Sequence, residues 1–251
     1  MSPVLPFEPG GYAFQQGGFP YSQGVAALPG HAITRARWIR PLPVATAFAA
    51  IASHLQALGR PLTALCAMEL RSPQPFTLGG FQDFNAGYVA TLKDWGLYRD
   101  SLNPVARSNV CPAHNAPTEA CVQAFSYTVP TAGAAGDFVI AGSGEWPEDQ
   151  AFPSGIVARG DLSASGIARK TAYVLRTMRE RANALSANWA AISAVQVYTV
   201  HDFHPLLASH FAPTGLLDVG LTWQVCRPPI QELEFEMDLR SVTTEQLMMT
   251  R

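Results

Sequence analysis

The residues best equipped for chemistry are one arginine, a pair of glutamates and a few polar side chains near them. Arg107 stands in the run Pro104-Val105-Ala106-Arg107-Ser108-Asn109. A planar guanidinium can grip a carboxylate through two parallel hydrogen bonds, which fixes both position and orientation. The competing reading is an arginine paired with a carboxylate inside the protein. Glu119 and Glu236 lie in segments that read as strands; each can act as general base toward water or simply accept hydrogen bonds between domains. Asn109 and Cys121 can donate hydrogen bonds. Nothing near Cys121 in sequence would lower its thiol pKa, so a buried structural thiol is the plainer reading. Tyr21 can line a cleft and orient water with its hydroxyl, or pack as an aromatic near a turn.

Other chemistries lack their residues. His201, His204 and His210 are not accompanied by an H-E-x-x-H pattern. Zinc-dependent deamination would use an H-x-E and a later P-C-x-x-C, and neither occurs. The cysteines Cys66, Cys111, Cys121 and Cys226 form no C-x-x-C pair. Gly142-Ser143-Gly144 is not a G-x-S-x-G elbow, and no phosphate-binding loop or dinucleotide fingerprint is found. The expectation is a reaction without metal or organic cofactor.

Composition narrows the partners. The net charge of −2 gives no basic surface for nucleic acid or anionic lipid. No run approaches the roughly 18 apolar residues of a membrane span, and the N-terminus shows no secretory pattern, so a cytoplasmic protein with reduced thiols is expected. Hydrophobic residues make up 48% and charged residues only 14%, against roughly 25% charged in an average soluble domain. Part of so charge-poor a surface is expected to be buried between subunits.

The positioning elements follow from periodicity. Val44, Phe48, Ile51, Leu55 and Leu58 recur at steps of four and three, predicting a helix that Gly59 and Pro61 end. A strand over 63–70, a helix over 81–95 and strands over 107–111 and 119–129 follow. The second half repeats this order: Ile167, Thr171, Val174 and Met178 mark a helix, 192–200 a strand, 203–211 a short helix, and 221–226 and 233–242 two strands. Strand-like glycine-rich segments open each half, at 12–28 and 137–157. Residues 57–70 lie over 184–197 without a gap, 83–85 over 202–204, and 107–111 over 222–226, which sets Thr222 opposite Arg107 and Glu119 opposite Glu234. Residues 130–136 read as a linker. Two α+β domains of similar build, 1–130 and 137–251, are predicted.

Several motifs give this order a family likeness. The run 19–25, Phe-Pro-Tyr-Ser-Gln-Gly-Val, resembles the N-terminal G-P-Y-S-Q element of the Rid/YjgF family. Phe84-Asn85 with Tyr88 resembles its F-x-x-x-N-x-x-Y helix, and 104–108 its P-A-R-S element with one residue inserted. The segments 119–125 and 233–236 resemble its closing E-I-E-A-I-A strand, and Arg159-Gly160-Asp161 its entry to the first helix. The chain thus looks like two Rid domains in tandem. The resemblance implies two chorismate-mutase-like domains, each a mixed, mostly antiparallel sheet packed against two helices.

It also implies chemistry on enamines and imines. Family members with the arginine hydrolyse 2-imino acids, or their 2-enamine tautomers, to 2-keto acids and ammonia. Fused members of this size are similar to bacterial deaminases of 2-aminomuconate and its 5-chloro analogue in aromatic-amine and nitroaromatic breakdown. On that reading the partner is a small enamine or imine carboxylate, held by Arg107, Tyr21, Ser108 and Asn85. Asn109, Cys121 and Glu236 would serve the nitrogen and the attacking water. A dicarboxylate would need a second cationic pocket, for which Arg71 and Arg227 are candidates. The second half lacks the arginine, and Cys121 stands where Glu236 stands in the other half, so the halves are expected to share one site. Family sites lie between neighbouring domains, which favours a homotrimer. Alternatives are cleavage of an enolpyruvyl ether, as in fused chorismatases, and ligand binding without turnover.

Overall fold

The four-and-three spacing folds as α1 (Val44–Ala57), which buries Phe48, Ile51 and Leu55; Gly59 then turns the chain at φ +64°. In this computed structural model residues 2–133, 136–147 and 149–249 are described, so Ala134 and Ala135 of the linker lie outside them. A meander of β1 (Val4–Phe7), β2 (Tyr12–Gln15) and β3 (Gly24–Ala27) precedes the long β4 (His31–Pro43) and α1. The first half continues with β5 (Leu65–Arg71), α2 (Leu78–Asp94), β6 (Ala106–Pro112) and β7 (Cys121–Pro130). Thr77 caps α2 by accepting a hydrogen bond from the Gly80 amide.

The second half runs β8 (Phe138–Gly144), α3 (Ala164–Ala184), β9 (Ala194–Thr199), β10 (Thr222–Gln224), β11 (Cys226–Arg227), β12 (Phe235–Ser241) and β13 (Thr244–Met248). Ser163 caps α3 as Thr77 caps α2. Two mixed sheets result, ordered β11–β6–β5–β7–β4–β13 and β1–β2–β3–β8–β12–β9–β10. The repeat is visible in them: β4–β7–β5–β6 and β8–β12–β9–β10 have the same order, each ending in a parallel pair, β5 with β6 and β9 with β10.

The halves exchange edges. The meander of the first half extends the second sheet where β3 pairs with β8. In return β13 pairs with β4 and β11 with β6. Each exchange covers a strand edge that would otherwise present unpaired backbone groups. Each sheet has its own apolar core: Phe48, Ile51, Leu55, Val89 and Phe125 in the first half, Val174, Met178, Phe203, Phe235 and Leu239 in the second.

The structure corrects three local expectations. Only 138–144 of the segment 137–157 is a strand; beyond it Pro147, Pro153 and Gly155 interrupt any ladder. Residues 204–214 form short 3-10 and π turns rather than a helix, since Pro205 and Pro213 cannot supply helical donors. One long helix, α3, therefore backs the second sheet where two back the first. The repeat also shifts by one residue in its last strands. Ser108 lies opposite Glu69, and Thr222 lies opposite Gln196, the residue aligned with Glu69. Thr222 thus corresponds to Ser108, and Leu221 to Arg107. A one-residue shift exchanges the faces of a strand.

Candidate active site

Alternation along β6 sends Arg107 and Asn109 to the side of α2 and Ser108 to the opposite face. Arg107 is 2% exposed. Its guanidinium is boxed by the rings of Tyr88 and Tyr21, with centroids at 4.8 and 4.9 Å, and by Phe81 and Phe84 at 5.5 and 6.0 Å. None of its three guanidinium nitrogens has a hydrogen-bond partner among the described residues. Aromatic faces attract a cation, yet they satisfy none of its five N–H donors. A buried charge without hydrogen bonds is costly. Such a group is built to receive an anion from outside.

The guanidinium opens on a cavity of about 310 Å³ between the halves. Tyr21, Phe81 and Asn109 line it from the first half, and Trp146, Arg181 and Glu236 from the second. Asn109 accepts a hydrogen bond from Ser72 Oγ at 2.9 Å, which fixes the amide, while its Nδ2 has no partner among the described residues. Arg181 is buried and donates to the carbonyls of Ala141 and Gly142 at 3.1 and 3.3 Å. Gly142 has a structural reason to be glycine: a Cβ there would run into Glu236 Oε1 and the Ser108 backbone.

Glu236 is buried, and its carboxyl is pushed well above the usual range, first by burial and then by the neighbouring Asp238 and Glu145; Arg107 and Arg181 oppose the shift. Burial therefore favours the protonated form of this carboxyl. Burial also pushes the Tyr88 phenol up to about 12 against the opposing pull of Arg107, and its hydroxyl has no partner among the described residues. The cavity thus holds two guanidinium groups, an available amide N–H and a glutamic acid of raised pKa, with aromatic side chains in its wall.

Of the residues expected at the site, Arg107, Asn109, Tyr21 and Glu236 are brought together, the last from the other half of the same chain. Asn85 is buried in α2 with Oδ1 unpartnered among the described residues, but it does not line the cavity. Ser108 points the other way and donates to Asp238 at 2.6 Å. Cys121 is outside the cavity: its thiol donates to the Glu119 carbonyl and is pushed up by burial, and Glu119 is exposed. Arg71 and Arg227 do not line this cavity; Arg71 faces another recess and Arg227 pairs with Glu234. The cavity's second arginine is Arg181, which sequence reasoning missed. Its signal was a cation seven residues after Val174 and three after Met178, on the apolar face of α3. Phe81 and Trp146 were missed as well.

Fold and cleft together give two halves of like topology that meet at a cavity suited to a small anion. The chain belongs to the family described as 2-aminomuconate deaminase CnbZ, whose sequence profile matches residues 4–246. It is 45% identical to the 2-amino-5-chloromuconate deaminase of Comamonas testosteroni, over 99% of this chain and 100% of that one. Among solved structures, a chorismatase aligns with a TM-score of 0.47 at 13% identity, over 91% of this chain and 79% of its own. A Rid-family protein of unknown function, YyfB from Yersinia pestis, aligns with a TM-score of 0.32 at 21% identity, over 46% of this chain and 83% of its own.

Proposed function

We propose that the chain hydrolyses 2-aminomuconate, or its 5-chloro analogue, to the 2-oxo dicarboxylate and ammonia, and that the reaction takes place in the Arg107 cavity. The observation that carries the assignment of the site is a buried guanidinium, unpartnered among the described residues, facing the same cavity as a buried glutamic acid whose pKa is raised. Family membership supports the reaction. Arg107 takes the carboxylate beside the amine-bearing carbon through its planar fork. Arg181, on the opposite half, receives the distal carboxylate. Two fixed ends leave the conjugated chain little freedom, which lowers the entropic part of the barrier.

Glu236 then moves protons. As an acid it protonates the enamine at carbon, giving an iminium whose C2 is electrophilic and leaving a carboxylate. That carboxylate accepts a proton from water as its oxygen bonds to C2, and returns the proton to the amine nitrogen. When the C–N bond breaks, the carbinol hydroxyl gives its proton back to Glu236, the carbonyl forms and ammonia leaves. The acid is restored, and only water has been consumed. Asn109 Nδ2 is a donor toward the oxygen that develops at C2.

The low charge content supports burial of part of the surface between copies, and a homotrimer is the proposed assembly. Four free, buried thiols and the absence of a long apolar helix among the described residues support a cytoplasmic setting. The direct test is ammonia release from freshly generated 2-aminomuconate, wild type against Arg107→Ala. Release well above the spontaneous rate, lost in the variant, is expected. No release above that rate by the wild type would overturn the assignment.

A further inference from the structure

The repeat has a second junction of the same kind. On the side of the site, β6 packs against β8. The corresponding strands, β10 and β4, flank a separate cavity of about 390 Å³. Four arginines line it, Arg35 and Arg37 from β4, Arg71 from β5 and Arg240 from β12, against a single carboxylate on its wall, Glu245 of β13. Arg35, Arg71 and Arg240 are all buried.

The charges are incompletely balanced. Arg35 is satisfied by Glu69 behind the wall, at 2.5 and 2.9 Å, and by Glu245 at 3.3 Å. Arg240 pairs with the other oxygen of Glu245 at 2.6 Å. Arg71 hydrogen-bonds only neutral groups, the Leu70 carbonyl and Gln224 Oε1, at 2.9 and 2.8 Å. Arg37 is half-buried and has no hydrogen bond or ion pair among the described residues. Glu245 shows what this wall accepts: one carboxylate bridging two guanidinium groups. Two further guanidiniums on different strands remain without a carboxylate.

We infer that this second cavity binds a small dicarboxylate, at a site separate from the Arg107 cleft. Arg37 offers an unused planar fork to one carboxylate and Arg71 its remaining N–H donors to the other. The side-chain amides of Gln123 and Gln224, which already donate to the Trp38 carbonyl and Gln196 Oε1, each keep one N–H for the remaining oxygens. Concentrated positive charge in a partly enclosed, low-dielectric recess favours a ligand with two negative charges over one. The cavity has no buried acid facing it comparable to Glu236, so it is a binding site without turnover.

The test uses cis,cis-muconate, a dicarboxylate with no amine to lose, titrated calorimetrically into the full chain. Arg107→Ala removes the carboxylate grip of the first cleft, and this variant is expected to retain one muconate per chain. Adding Arg37→Gln should weaken the retained binding at least tenfold. Adding Glu245→Gln instead should tighten it, because Arg35 and Arg240 lose their internal carboxylate. The single Arg37→Gln variant should release ammonia from 2-aminomuconate at the wild-type rate, which separates this inference from the fate of the proposed reaction. No muconate bound to the Arg107→Ala protein would overturn the second site. Retained binding that responds to neither Arg37→Gln nor Glu245→Gln would place the ligand elsewhere and overturn it equally.

Discussion

The last strands of the two halves began from one plan and carry opposite equipment. In the first half, β6 sends Arg107 and Asn109 toward α2, and the rings of Tyr21, Phe81 and Tyr88 leave the guanidinium open to a cavity. In the second, Leu221 and Trp223 hold the corresponding positions and pack into the core, where Trp223 meets Phe203 edge-on at 5.1 Å. The exchange runs the other way in the closing strands. Cys121 of β7 pairs with Arg71, and Glu236 of β12 pairs with Tyr198, so the two are counterparts. The first half carries the cation and a cysteine at the acid's position; the second carries the acid and a leucine at the cation's position. On the proposed reading the two groups share one cleft, because they line the same cavity across the junction of β6 and β8.

The largest expected effect is on that division of labour. Arg107→Ala should lower turnover by on the order of 10³-fold, as for other single groups that stabilise developing charge in a buried site. Arg107→Lys should not rescue it, since an ammonium lacks the bidentate fork. Initial rates of ammonia release measure both.

Glu236→Gln should cost roughly 10²–10⁴-fold in turnover, the range for general acid–base groups, while acting on stability with the opposite sign. The folded-state pKa of Glu236 is raised. Below the unfolded pKa the acid is protonated in both states and folding has no penalty. As pH rises toward the folded pKa, the unfolded chain releases the proton and the folded one retains it, so stability is lost. The glutamine variant escapes that loss. Its melting temperature, compared with wild type from pH 5 to 8, should gain progressively toward pH 8. The same titration predicts that wild-type turnover falls on the alkaline side as Glu236 loses its proton.

Arg181→Gln should raise KM for the dicarboxylate by roughly 10–100-fold, the equivalent of one charge-assisted hydrogen-bonded contact. For a monocarboxylate enamine, which has no distal group to hold, the change should be much smaller. Equal changes for both substrates would remove Arg181 from the distal end.

Leu221→Arg, which restores an arginine to the second half, should yield no second active site and should destabilise the fold by about 1–3 kcal/mol, because Trp223 and Phe203 fill the space the guanidinium would need. Cys121→Ser should have the smallest effect of all. A serine hydroxyl can donate to the Glu119 carbonyl as the thiol does, and turnover should be unchanged in the ammonia assay.

The helices were legible because their apolar faces are long: α1 and α3 each repeat the spacing over several turns, and Gly59 and Pro61 mark the end of the first. The repeat was legible in its first strand, where residues 57–70 and 184–197 align without a gap. It was misaligned in the last strand, where Cys111 and Cys226 attracted a register one residue away from that of the pairing. Periodicity of two offers no protection against such a shift in a three-residue strand like β10. Tyr21, Arg107, Asn109 and Glu236 were found through motifs. Arg181 was hidden because a cation on the apolar face of a helix gains its meaning only from the Ala141 and Gly142 carbonyls it meets.

The sequence by itself determined the secondary elements, the duplication and the residues that the two halves kept, since these are recorded in local spacing and in residue type. Tertiary structure alone decided that Arg107 is unpartnered among the described residues, that burial raises the Glu236 pKa, and that both face one cavity within a single chain. Hydrogen-bond satisfaction and desolvation depend on which surfaces come together in three dimensions. Here the two sheets meet at the junction of β6 and β8, and that contact brings Arg107 and Glu236 to one cavity.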